Sequence, residues 1–230
     1  MHQVLDNVVW EALNGAHKNV SAGGAASRRY AQGFSPIVGF ADRSKPDFDT
    51  LAQVCSLGES FYTEGWIGTA PEGWSVDLES MMFKMIWEGE LPNEDPADGA
   101  TALGPDPAKR ALELATLTNP GPFGIRTLEL GDYYGYFDGD QLISMSGERF
   151  FAGSLREISG VCTHPNYQGR GLAGKLMTKL IRRQVLRGET PFLHVMSSNT
   201  HAQGLYTRMG FREYNESVVR ILTYVGSLTR

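Results

Sequence analysis

Residues 164–174 read HPNYQGRGLAG, with Gly169, Gly171 and Gly174 in close succession. The pattern on either side limits what this chain can become. Ser154–Thr163 alternates as a strand does. Leu172–Arg187 places Leu172, Leu176, Leu180 and Ile181 on one helical face, and Gly188 ends the run. Phe192–Met196 is a short apolar strand. Strand, glycine turn, helix and strand in this order predict a mixed α/β sheet with the helix packed on it.

The rest of the chain extends that sheet. Tyr133–Phe137 and Gln141–Met145 flank Asp138-Gly139-Asp140, a hairpin signal. Ala108–Thr116 and Ala202–Met209 read as helices, the second closed by Gly210. Phe211–Tyr214 and Val218–Val225 read as two final strands. Upstream, Val8–Asn14 and Phe48–Phe61 are expected to be helical and Met81–Trp87 extended. Trp66, Trp74 and Trp87 are read as core or pocket wall. No repeat of 20–50 residues is evident. Residues 92–107, PNEDPADGATALGPDP, read as a linker. The expected division is an N-terminal α/β lobe, 1–100, and a second domain, 101–230.

Composition narrows the function classes. The 230 residues carry a net charge of −5. Residues 1–100 hold 6 basic and 15 acidic side chains, whereas residues 155–230 hold 11 basic and 4 acidic. A basic C-terminal third suits an anionic ligand. It equally suits a solvated helix face formed by Lys175, Lys179, Arg182 and Arg183. Little aromatic interleaving and an acidic total argue against a nucleic-acid partner. No apolar run is long enough to span a membrane, and the N-terminus lacks the pattern of a signal peptide. Cys55 and Cys162 give neither a disulfide framework nor a zinc pattern. A cytoplasmic location is therefore expected.

GRGLAG matches the G-x-G-x-x-G fingerprint of a dinucleotide-binding turn, but its context fails. THPNYQ separates the strand from Gly169, and Glu189 precedes its strand instead of closing it. Moved back one residue, the loop reads Gln168-Gly169-Arg170-Gly171-Leu172-Ala173, or Q-x-x-G-x-A. Its glycines let successive N–H groups converge at the first turn of the next helix, where unpaired amides favour an anion. A second segment, 197–211, carries Asn199, Ala202, Tyr206, Gly210 and Phe211 in the spacing N-x-x-A-x-x-x-Y-x-x-x-G-F.

Both segments resemble the GCN5-related N-acetyltransferases, the GNAT superfamily, and the C-terminal one most resembles its FR47-like subgroup. The match covers about 155–225 closely and extends loosely back to 108. The resemblance implies the GNAT fold: a mixed, mostly antiparallel sheet flanked by helices. It implies acetyl-CoA as cosubstrate and transfer to a primary amine of a small molecule, amino acid or peptide. Longer acyl donors, as in the glycine N-acyltransferases, are a variant. A non-catalytic acyl-CoA-binding sensor of the same fold is the alternative.

The family pattern assigns roles residue by residue. Gln168, Gly169, Arg170, Gly171, Leu172 and Ala173 would hold the pyrophosphate, with Arg170 and Lys175 adding charge. Backbone groups of Val161, Cys162 and Thr163 would bond the pantetheine arm, one amide near Val161 polarising the thioester. Asn199 would anchor pantetheine or cap the following helix, two roles that are compatible. Tyr206 matches the tyrosine near the sulfur and is the expected acid. Glu157, 11 residues before Gln168, is the expected base, with Glu148 a second candidate; strand alternation puts Glu157 on one face with Ser159, Val161 and Thr163. Its other reading is a paired or solvent-facing strand glutamate. His164, His194 and His201 lack metal-ligand spacing; no metal is expected, and His194 reads as a core or pocket histidine. Cys162 reads as a small buried residue, not a nucleophile. The acceptor pocket falls to residues 1–100 and the hairpin, and the assembly to a monomer or homodimer.

Overall fold

The computed structural model describes residues 2–226. In chain order the elements are α1 (His2–Asp6), α2 (Val8–Asn14), β1 (Ser21–Gly23), β2 (Ser27–Tyr30) and β3 (Val38–Phe40). Next come α3 (Phe48–Ala52), β4 (Ser60–Glu64), β5 (Trp74–Trp87), β6 (Thr101–Ala102) and α4 (Ala108–Thr118). The last are β7 (Tyr133–Asp138), β8 (Gln141–Ala152), β9 (Leu155–Thr163), α5 (Leu172–Leu186), β10 (Thr190–Met196), α6 (Thr200–Arg208) and β11 (Phe211–Tyr224).

Eight strands form one sheet in the order β4-β11-β5-β10-β9-β8-β7-β6, and β1-β2-β3 form a separate small sheet. All pairings in the large sheet are antiparallel except β9 with β10. This is the mixed, mostly antiparallel architecture expected from the sequence. Helix α5 lays Leu176, Leu180 and Ile181 on one side of the sheet, against Met85, Ile158 and Leu193. On the other side lie Leu5, Val8, Val9 and Leu13, against Ile86, Phe150 and Phe192.

A break at residue 100 does not follow the hydrogen bonding. β5, from the first hundred residues, lies between β11 and β10. The 92–107 stretch is also fastened down. Asp95 holds Lys179 of α5, Arg182 donates to the Pro92 carbonyl, and Ala97 is buried. Half of the basic face of α5 is thus neutralised internally, with Arg183 paired to Asp132 at 2.9 Å.

Three local expectations change. Phe48–Phe61 is not one helix: α3 ends at Ala52, Gly58 takes φ +81°, and Phe61 pairs in β4 with Leu222 of β11. Here sheet pairing overrides helical periodicity. The two final strands are one, because a register shift near Tyr214 absorbs the polar run and keeps all of β11 on β5. The alternation of β9 breaks at Gly160, which takes φ +62° inside a register shift between Ser159 and Cys162. Ile158 and Val161 therefore pack into the same cluster beneath α5. Glu157 does not share the Val161 face.

Candidate active site

β9 and β10 are hydrogen-bonded only from Leu155↔Thr190 to Glu157↔Phe192. Beyond that point they part, leaving Ile158–Thr163 without a strand partner on the β10 side. The cleft so opened holds two cavities. One, of about 460 Å³, runs along Val161, Cys162, Thr163 and the loop 167–174. The other, of about 300 Å³, lies on the opposite side of the split, against β5, β10 and β11. They share Asn119, Pro120, Val161, Asn199 and Tyr206, so they meet where the strands split.

The glycine loop is built as its composition requires. Gly169 and Gly171 take φ +76° and +72°, where a side chain is strained. A Cβ at either would meet nothing within 4 Å, so the backbone faces open space. Gly171 caps α5 without any side-chain cap, and no acidic residue sits in the first turn. Lys175 N–H bonds to Gly171, while the amides at 172–174 have no turn before them to bond to. Gln168 Nε2 donates to the Thr163 carbonyl at 3.4 Å, tying the loop to the strand end. Arg170 lies over the Tyr167 ring, 4.7 Å from its centroid.

Asn199 Oδ1 accepts from Ala202 N–H at 3.1 Å, capping α6, and the residue lines both cavities. Asn199→Ala should lower stability by about 1 kcal/mol through the lost cap, read as a shift in the urea midpoint. Tyr206 is 8% exposed and lines both cavities. Burial pushes its phenol up to about 12, so it is a proton donor at every neutral pH. Cys162 is buried, and burial lifts its thiol to about 11, which removes it as a nucleophile.

Glu157 does not stand as an open base. It is 1% exposed and lines neither cavity. Oε1 accepts from Arg149 Nη2 and His194 Nδ1, both at 2.7 Å. Oε2 accepts from Arg149 Nε at 2.8 Å and Phe150 N–H at 3.3 Å. Burial alone would raise its pKa, but the Arg149 charge and the His194 and Arg149 bonds outweigh it and hold it at about 2. Glu148 is likewise taken up, by Gln184, Arg187 and the Asp132 amide. Each glutamate fills its lone pairs internally.

Sequence reading missed several groups that line or lie close to the second cavity. Arg149 sits in a second register shift, between Glu148 and Phe151, which re-aims it inward. Glu64 of β4 and Lys84 of β5 form a buried ion pair at 2.9 Å, beside His194. Asn119, in left-handed conformation at the end of α4, forms the rim with Pro120 and Pro122. Only the Asn-Pro-Gly-Pro run was a local signal, and it marks a turn without marking a site.

Residues 133–220 match the family model of FR47-like proteins. A crystal structure from Novosphingobium aromaticivorans, assigned to the GNAT family of acetyltransferases, is 31% identical with TM-score 0.85. The alignment covers 96% of this chain and 98% of that one. A GCN5-related N-acetyltransferase from Kribbella flavida shares the fold at 10% identity and TM-score 0.58, over 99% and 96% of the two chains. A GCN5-related N-acetyltransferase-like protein from Streptococcus suis does so at 14% and 0.59, over 94% and 92%. No match was found among curated proteins. The split strands, the glycine loop at the head of α5 and the end-to-end likeness to the Novosphingobium protein agree: this chain belongs to the GNAT family of acetyltransferases.

Proposed function

We propose that the protein is an acetyl-CoA-dependent N-acetyltransferase acting on a small primary amine with an apolar body. The observation that carries this reading is the meeting of the two cavities at Val161, Asn199 and Tyr206. A thioester entering from the loop side and an amine entering from the other side come together only there. The amides at the head of α5 and around Gly169–Gly171 receive the pyrophosphate, and the charge of Arg170 adds to the attraction. The unpaired edge of β9 takes the pantetheine amides, and Asn199 adds its side-chain amide. The apolar walls of the acceptor cavity, Leu78, Met82, Ile158, Val219 and Ile221, favour an amine flanked by hydrocarbon.

Attack of the neutral amine on the thioester carbon forms the C–N bond, and the carbon–sulfur bond then breaks. The Val161 region supplies backbone polarisation of the carbonyl. Tyr206, neutral throughout the working range, donates its hydroxyl proton to the departing sulfur. Tyr206→Phe should lower kcat about 10²-fold, the usual size of such a contribution. Acetyl-CoA affinity by calorimetry should be unchanged, because the ring and its packing remain.

The test is thiol release from acetyl-CoA with a panel of arylalkylamines, polyamines, amino acids and short peptides. Turnover with arylalkylamines above the rest supports both the reaction and the acceptor class. Tight acetyl-CoA binding without turnover of any amine would sink the transferase reading in favour of a non-catalytic acyl-CoA sensor.

A further inference from the structure

Five charged or titratable side chains form one linked cluster, Lys84, Glu64, His194, Glu157 and Arg149, of which His194 and Arg149 line the acceptor cavity. All are nearly fully buried. Such groups are retained in a core only when each is paired. One atom breaks that rule. His194 Nε2 is buried without a hydrogen-bond partner, and His194 lines the same cavity as Tyr206, Val161 and Asn199.

The surroundings fix the imidazole. Glu157, held ionised by Arg149, can only accept, so the proton of a neutral His194 sits on Nδ1, 2.7 Å from Glu157 Oε1. The lone pair is then on Nε2. Phe150 and Phe192 meet the ring edge-on, with centroids 6.1 and 5.7 Å away. Glu64 Oε2 stands 3.6 Å from Nε2, too far to hydrogen-bond but close enough to stabilise a positive charge there. The other oxygen of Glu64 is occupied by Lys84 at 2.9 Å and Ser217 at 2.7 Å. Lys84 is pinned in turn by the Leu5 and Asp6 carbonyls.

On the transferase reading above, we propose that His194 Nε2 receives the proton of the acceptor amine, with Glu157 orienting the ring and Glu64 stabilising the imidazolium. The step balances. As the amine nitrogen bonds to the acetyl carbon, its N–H bond breaks and the proton passes to Nε2. The thiolate takes a proton from Tyr206, water restores Tyr206, and His194 returns its proton to solvent through the cavity. The proton that His194 returns to solvent balances the one that Tyr206 takes up, so a neutral amine gives no net proton, and an amine that arrives as ammonium releases one.

The charge balance suits the task. With neutral His194 the cluster of Lys84, Arg149, Glu64 and Glu157 sums to zero, so uptake of one proton leaves a single charge facing two carboxylates. Burial lowers the His194 pKa, but Glu157 and Glu64 outweigh it and the net shift is upward. Below that raised pKa the base is already protonated, so activity falls as pH drops through it. Lys84 and Arg149 oppose the shift, and Glu64 and Glu157 favour it.

The experiment is a pH profile of kcat/KM for the fastest amine of the panel, in wild type, His194→Gln and Glu64→Gln. Imidazole nitrogen resonances, assigned by the signal missing in His194→Gln, report the tautomer. We expect an acid limb above 6.5 in the wild type. In His194→Gln we expect a roughly 10²-fold loss at pH 8 with the limb flattened and acetyl-CoA affinity retained. In Glu64→Gln the limb should move to lower pH, and the Nδ1–H tautomer should be seen in the wild type. His194→Gln activity within threefold of wild type with the limb unmoved overturns the proposal. So does a proton found on Nε2 of the neutral ring, which would read as a folding role only. A wild type that binds acetyl-CoA but turns over no amine overturns the transferase reading and this proposal with it. Failure of His194 alone leaves wild-type turnover intact.

Discussion

Gly171→Glu abolishes acetyl-CoA binding in a protein that stays folded. Two effects act together. Position 171 has φ +72°, so any side chain there costs about 1–2 kcal/mol of backbone strain. An added Cβ meets nothing within 4 Å, so the strain brings no clash and α5 keeps its packing on Leu176 and Leu180. The carboxylate itself lies at the head of α5, where it takes up the unpaired amides intended for phosphate and repels the pyrophosphate. Hydrogen bonds to a charged group contribute about 1.5–3 kcal/mol each. Losing two or three weakens binding by about 10³-fold or more. Calorimetry with acetyl-CoA gives the affinity, and circular dichroism confirms the fold. Micromolar binding retained in the variant would show that the anion does not sit at this helix end.

Glu157→Ala should be the most destabilising single change in the site. Removing one partner of a buried ion pair leaves the other charge without compensation and costs about 3–5 kcal/mol. Here the removal strands Arg149, His194 and the Phe150 amide together. For a chain of this size that lowers Tm by roughly 10 °C. Thermal unfolding followed by circular dichroism reads it. An unchanged Tm would mean that water replaces the carboxylate freely, and that Glu157 is more open than its 1% exposure indicates. Glu157→Gln, which keeps the shape and an acceptor oxygen, should fall between the two. Loss of activity in either variant therefore does not by itself make Glu157 a base.

The legible part of the protein was local. Leu172, Leu176 and Leu180 recur at helical spacing, and Gly169 and Gly171 accept a backbone conformation that other residues resist. Asn199 stands at the start of α6, where its side chain caps the helix. These features rest on interactions within a few residues, so their spacing survives in one dimension. The FR47-like resemblance read from them is upheld by the family model over 133–220.

What stayed hidden depends on chain segments far apart. Glu64, Lys84, Arg149, Glu157 and His194 come from five strands, and nothing near any of them in sequence marks it as part of one cluster. Their meeting is set by sheet order, which places β5 beside β10, and by the register shift that turns Arg149 inward. A separate shift, at Gly160, takes Val161 off the face that simple alternation would have it share with Glu157. The sequence alone determined the glycine loop, the helix behind it and the family, because each is encoded by residues that touch their near neighbours. Only the tertiary structure decided that the expected base is sequestered and that His194, a cavity-lining residue, holds a buried Nε2 without a hydrogen-bond partner, because a buried group's protonation is set by the charges that non-local pairing brings against it.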